Sequence, residues 1–351
     1  MTSNEWIKLC KNIYERRCIL FIGSEFPIEN RKQDPVVETN FSDLLSEKLK
    51  EELSCFQIKT IFNDCIERME LSQVATDYLK CCAEPIPRQE LESVIENYLD
   101  EMTPNLSSPV FKSLMQLPFS FIVDTNFTNF FATEISSVQN KIAQHSFYHF
   151  RKPKANPDNV STDDGEKIGT EAHPYVYNIY GSTEVTQSIA ISENELIEWL
   201  TNVISHNPKI PTNIKNLLQD SNNCFLFIGF GFASKDWFFR ILLHTLGSVN
   251  KQLTSYATQS LNTNNNSSVV FFKVGLKVGI YPYDNHQMFV TDLIENYKKY
   301  EKKETDNNKD IKVVEGAPTA FILYTYGCAS VPIFSPSSVE TLSGFAFGFL
   351  K

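Results

Sequence analysis

The sequence predicts an α/β protein: a parallel sheet, a helical lobe inserted early in the chain and an apolar, β-rich C-terminal extension. Two observations carry this. Four short apolar runs, Cys18–Ile22, Pro118–Val123, Val176–Ile179 and Cys224–Ile228, each stop at small or polar residues, and segments of helical periodicity lie between them. Their apolarity is continuous rather than alternating, as expected of strands buried on both faces of a helix-covered parallel sheet.

In chain order, Trp6, Ile7, Cys10, Ile13 and Tyr14 recur at helical spacing and give a first amphipathic helix, followed by the strand Cys18–Ile22 and the turn Gly23-Ser24. From Phe41 to about Tyr98 the apolar positions return every three or four residues, which predicts the helical lobe at about 40–105. The strand ending at Val123 leads into Asp124-Thr125-Asn126, and the polar stretch His149–Glu171 reads as an exposed loop. A third strand stops at Tyr180-Gly181-Ser182. Ser192 with Glu195 is a capping box that starts the next helix. The fourth strand ends in Gly229-Phe230-Gly231, before a helix from Ser234 to about Leu246 whose first turn carries Asp236. Beyond it the expectations are a loop over Ser260–Ser268, a strand around Val269–Lys273, a helix from about Gln287 to Tyr300 and a charged linker at Glu301–Asp310. Residues 1–300 are thus expected to form one domain, and 311–351 an apolar extension whose Ala317–Phe334 run, broken by Pro318, Gly327 and Pro332, predicts strands rather than a membrane span.

Composition narrows the function. The chain of 351 residues carries 32 basic and 42 acidic side chains, a net charge of −10 with no basic block, which argues against a nucleic-acid partner. None of the eight cysteines forms a C-x-x-C pair, so they are expected as reduced core thiols, and no apolar leader precedes the first helix. A cytoplasmic protein without metal or membrane association is expected.

In an open parallel sheet the ligand crevice lies outside the carboxyl ends of the strands. Gly23-Ser24, Asp124-Thr125-Asn126, Tyr180-Gly181-Ser182 and Gly229-Phe230-Gly231 are therefore expected to converge on one pocket. Alone, each would be ordinary chain punctuation.

These stretches, taken with Phe21–Phe26, Asp124–Thr128, Asn178–Ser182, Ile191–Leu196 and Ile228–Asp236 in that order, resemble the sirtuin-like family named after silent information regulator two, in its compact bacterial branch. The resemblance spans about residues 5–300. It implies a Rossmann-like sheet that binds NAD, and NAD glycohydrolase activity used in antiphage defence. Carried over residue by residue, it implies catalytic roles for Asn126 and Tyr180, and cofactor contacts from Gly23, Ser24, Thr125, Gly181, Ser182, Gly229, Phe230, Gly231 and Asp236. The four-cysteine zinc module of the deacetylase members has no counterpart between Ser182 and Gly229, which argues against peptide deacylation and against zinc. Control by a second subunit from the same defence operon, or by self-association through the C-terminal extension, is the corresponding partner expectation.

Two departures stand out. Tyr180 occupies the position of the family's active-site histidine, and a phenol, with a reference pKa of about 10, is no ordinary base at neutral pH. Glu25 replaces the second glycine of the phosphate turn, where a carboxylate aimed at a pyrophosphate would repel it. The rival expectation is thus a nucleotide-binding sensor or scaffold without catalysis. His145 and His149, spaced as on a helix, and His173 are expected at the surface, and Tyr281–Asp284 either lines a ligand or turns the chain.

Overall fold

The computed structural model describes residues 1–32, 35–55, 70–82, 85–151, 168–230, 241–244, 253–260, 273–274, 277–283 and 285–314. The chain divides into two compact units, Met1–Lys303 and Glu304–Lys351. The expected helix Ser234–Leu246 is described only at 241–244, which are helical, and the strands expected in 317–334 lie outside the described residues.

After helix α1 (Ser3–Tyr14) comes β1 (Cys18–Ile22), then β2 (Ile28–Asn30), β3 (Val37–Thr39) and the lobe helices α2 (Phe41–Cys55), α3 (Leu71–Cys81) and α4 (Pro87–Met102). The chain continues through β4 (Leu106–Ser107), α5 (Pro109–Leu114), β5 (Phe121–Asp124), α6 (Phe130–Ser136), β6 (Gln144–Phe147) and β7 (Tyr175–Asn178). It then forms α7 (Glu193–Ser205), α8 (Thr212–Gln219), β8 (Cys224–Ile228), β9 (Ser255–Ser260), β10 (Val278–Tyr283) and α9 (His286–Val314).

Seven strands make one parallel sheet in the order β10-β9-β8-β1-β5-β7-β6. This is the Rossmann-like α/β architecture that the central strands announce. Alternate residues of each strand enter different cores. Leu20, Ile22, Ile122, Val176, Leu226 and Ile228 pack with α1, the lobe and α9; Ile19, Phe21, Val123, Tyr177, Phe225 and Phe227 pack with α7 and α8. Burial of every residue in β1, β5, β7 and β8 is the physical reason those runs are continuously apolar. The capping box at Ser192 forms as expected, with Glu195 accepting from the Ser192 N–H at 3.1 Å.

Several elements differ from expectation. β6, β9 and β10 join the sheet without an apolar run. β6 and β10 are its two edges, and β10 includes Tyr281-Pro282-Tyr283, where an edge tolerates a proline that cannot donate to the ladder. His145 therefore sits on a strand, not a helix. The expected strand Val269–Lys273 lies outside the described residues except Lys273, which is in a helical turn. Glu301–Asp310 is no linker: α9 runs through it to Val314, since a solvated helix and a linker share a charged composition. β2, β3 and β4 form a small antiparallel sheet in the order β3-β2-β4, so β1 leads into a strand rather than into a phosphate-binding helix.

Candidate functional site

The strand order changes direction between β1 and β8, and that topological switch point is where open α/β sheets leave a crevice. The two strands exit in contact. Gly23 donates to the Ile228 carbonyl at 2.8 Å and Glu25 donates to the Gly229 carbonyl at 2.9 Å. A Cβ on Gly23 would lie 2.0 Å from the Gly229 oxygen; one on Gly229, whose φ is +79°, would lie 2.5 Å from the Phe26 nitrogen. Both glycines are thus required by the approach of neighbouring backbone, and the space a Gly229 side chain would take is that of Phe26.

An open cleft lies at these strand ends. Of the expected site residues, Ser24, Thr125, Asn126, Tyr180 and Phe230 line it together. The lobe contributes Phe41, Ser42 and Leu45 from α2 and Glu70, Leu71 and Ser72 at the start of α3, a wall the sequence motifs did not point to. Gly181 and Ser182 build the turn beside it. Gly181 has φ +97° with no room for a Cβ against Ser188, and the Ser182 N–H is taken by the Ser188 hydroxyl. Gly231 and Asp236 lie outside the described residues.

Asn126 is the best-held polar group of the cleft. Its side-chain Nδ2 donates to Asp124 Oδ1 at 2.7 Å, and its backbone N–H donates to the same oxygen at 2.9 Å. Asn178 Nδ2 donates to the other Asp124 oxygen at 3.2 Å and to the Asn126 carbonyl at 2.6 Å. Asp124 is fully buried, and this burial pushes its pKa up to about 7 against the lowering effect of those donors. Neither Asp124 nor Asn178 was singled out for a role from sequence; a carboxylate closing an apolar strand was the available signal.

Tyr180 packs its ring on Trp199, with centroids 4.7 Å apart, while Trp199 Nε1 donates to the Ile179 carbonyl. Glu25 faces elsewhere. It lines a second, larger cleft with Glu38, Asp43, Glu47, Thr258 and His286, on the far side of α2 from the residues that face the first. The repulsion expected between Glu25 and a phosphate in the first cleft therefore does not arise from its position. Among the described lining residues of the first cleft there is neither an imidazole nor a Lys or Arg side chain.

Cys10, Cys18, Cys82 and Cys224 are buried free thiols, and burial pushes the Cys10 thiol up to about 12, which keeps it protonated and unreactive. His145 and His173 stand apart from the first cleft. Among the described residues no group of three or more His, Cys, Asp or Glu side chains gathers as a metal site, and no helix is long and apolar enough to cross a membrane.

About half of the cleft lining lies within one segment that can be compared with known families. Residues 120–269 match the SIR2-like domain. The SIR2-like segment holds β5, β7 and β8 with the Asn126, Tyr180 and Gly229 turns, while β1 and the helical lobe lie before it. It supports a sirtuin-like relationship and is compatible with NAD-dependent chemistry. A comparison with curated proteins gives no match.

Proposed function

We propose that the chain is an NAD⁺ glycohydrolase that releases nicotinamide and leaves ADP-ribose, acting as an effector of bacterial antiviral defence under the control of a partner subunit or of assembly. The observation that carries the reading is Asn126, fixed at the end of β5 in the lining of a switch-point cleft within the SIR2-like segment. The defence role and its partner rest on the family resemblance.

The chemistry asks little of the protein. Breaking the bond between nicotinamide and ribose passes through an oxocarbenium-like state, nicotinamide departs as a neutral ring, and water adds to the sugar carbon. No general acid is needed and so electrophilic a cation takes up water with little help from a base, so Tyr180 in place of a histidine weakens the enzyme reading without ending it. What helps is position. With Nδ2 bound to Asp124, Asn126 has Oδ1 left to hold a ribose hydroxyl or the incoming water. Phe41, Phe127, Tyr180 and Phe230 give the cleft aromatic walls, and Glu70 is the carboxylate in its lining, suited to a positively charged nicotinamide ring.

The test is NAD⁺ consumption by the purified protein, alone and with the product of the neighbouring gene. Asn126→Ala is expected to abolish nicotinamide release without lowering the melting temperature of the fold by more than a few degrees. Parental turnover in that variant would remove Asn126 from the site. A second reading, a nucleotide-binding scaffold, is favoured by the absence of an imidazole among the described lining residues. Under it the parent and Tyr180→His both stay silent with the partner present, while NAD⁺ still binds in calorimetry.

A further inference from the structure

We infer that Asp124, Asn178, His145 and Glu184 form a chain of positioning residues that holds the Asn126 amide with its oxygen toward the cleft. The inference rests on the proposed use of that cleft, yet its geometry stands apart from the family motifs.

Asp124 Oδ1 already accepts the Asn126 backbone N–H at 2.9 Å, which marks it as an acceptor, so the Asn126 side-chain atom 2.7 Å from it is Nδ2, and the Asn126 Oδ1 is the atom left to the cleft. The next link is fixed in the same way. Asn178 Nδ2 faces three acceptors, Asp124 Oδ2 at 3.2 Å and the carbonyls of Asn126 at 2.6 Å and Thr128 at 3.0 Å. Asn178 Oδ1 is then the partner of His145 Nε2 at 2.6 Å, which makes Nε2 the donor. The far nitrogen, Nδ1, lies 3.0 Å from the half-exposed Glu184 carboxylate, which Asn129 Nδ2 approaches at 3.3 Å. Each amide is thus oriented by a neighbour that admits one orientation. The chain runs from the surface across β6, β7 and β5 to the cleft, where rotation of Asn126 would replace an acceptor with a donor.

The experiment uses the full chain with ¹⁵N-labelled asparagine, the Asn126 side-chain signal being assigned by its loss in Asn126→Asp. In the parent this amide is expected away from the free-amide position; in Asp124→Asn it should move to it, and in Glu184→Gln part of the way. Nicotinamide release should fall about 100-fold in Asp124→Asn and about threefold in Glu184→Gln, in kcat rather than KM, as misplacement of a reacting group does. Glu184 is half exposed, so its variant keeps the test open should Asp124→Asn fail to fold. An unmoved Asn126 signal in both variants, or parental kcat in both, overturns the inference. A parent that neither binds nor cleaves NAD⁺ overturns the proposed function instead, and the amide signal then decides the positioning by itself.

Discussion

Asp124 shows how one buried group links the site to stability. Its carboxyl is raised to about 7 from an ordinary 3.8 because burial disfavours the charge. Between those values the folded chain keeps a proton that the unfolded chain gives up, so stability is fully present below about pH 4 and is lost as the pH rises toward 7. The loss is on the order of 4 kcal/mol. Denaturant titrations at pH 5 and pH 8 should show a parental decline that Asp124→Asn reduces by most of that amount; an equal decline in both proteins would assign it to other groups. The turn glycines act through backbone. Gly229→Ala must distort a residue at φ +79° and displace Phe26, so it should cost at least ~2 kcal/mol in the same titration. A variant as stable as the parent would mean the β8 exit relaxes freely. This backbone reason could not be read from the motif, which shows that a glycine is present but not what it meets.

Among the elements, polar contacts tie the lobe to the segment that lines the cleft. Arg88 on α4 lies 2.6 Å from Glu195 and donates to the Ile189 carbonyl at 3.0 Å, while Thr76 on α3 accepts from the Glu193 N–H at 2.9 Å. Glu195 is nearly buried, also caps α7 and also pairs with Arg151 at 3.2 Å. Removing Arg88 leaves that carboxylate with one cation instead of two. Arg88→Met should therefore cost about 2 kcal/mol and raise KM for NAD⁺, because Ala190, Ile191 and Leu196 line the cleft beside the lost contact. A variant with parental stability and KM would show that the lobe is held by its apolar packing alone. The capping box at Ser192 was visible in the sequence; the arginine that shares Glu195 was not, since 107 positions separate the two residues by their numbers.

Across the whole molecule, legibility follows burial. Four of the five inner strands, β1, β5, β7 and β8, are apolar at every or nearly every position because both faces are covered, and their carboxyl ends, hence half of the cleft, could be placed from the sequence; the fifth, β9, is buried over Ser255–Thr258 but hides polar side chains there, Ser255 accepting from the Phe225 N–H, and carries no apolar run. β6 reads Gln-His-Ser-Phe and β10 carries a proline, because an edge strand has one ladder partner and a partly solvated surface. The lobe's wall of the cleft was hidden for a different reason: helical periodicity shows which face is apolar, not which site it closes. That composite cleft sets the last expectation. Its described lining includes the rings of Phe41, Phe127, Tyr180 and Phe230 and one carboxylate, Glu70, so the nicotinamide end of NAD⁺ should supply much of the binding. Carba-NAD⁺, in which a methylene replaces the ribose ring oxygen and blocks hydrolysis, should at a hundredfold excess over its Kd stabilise the fold by about 2.7 kcal/mol, or roughly 5 °C in melting temperature. ADP-ribose at the same concentration lacks the ring and should give a smaller shift. Equal shifts would move the nicotinamide out of this cleft, and no shift at millimolar carba-NAD⁺ would leave the cleft without its proposed ligand.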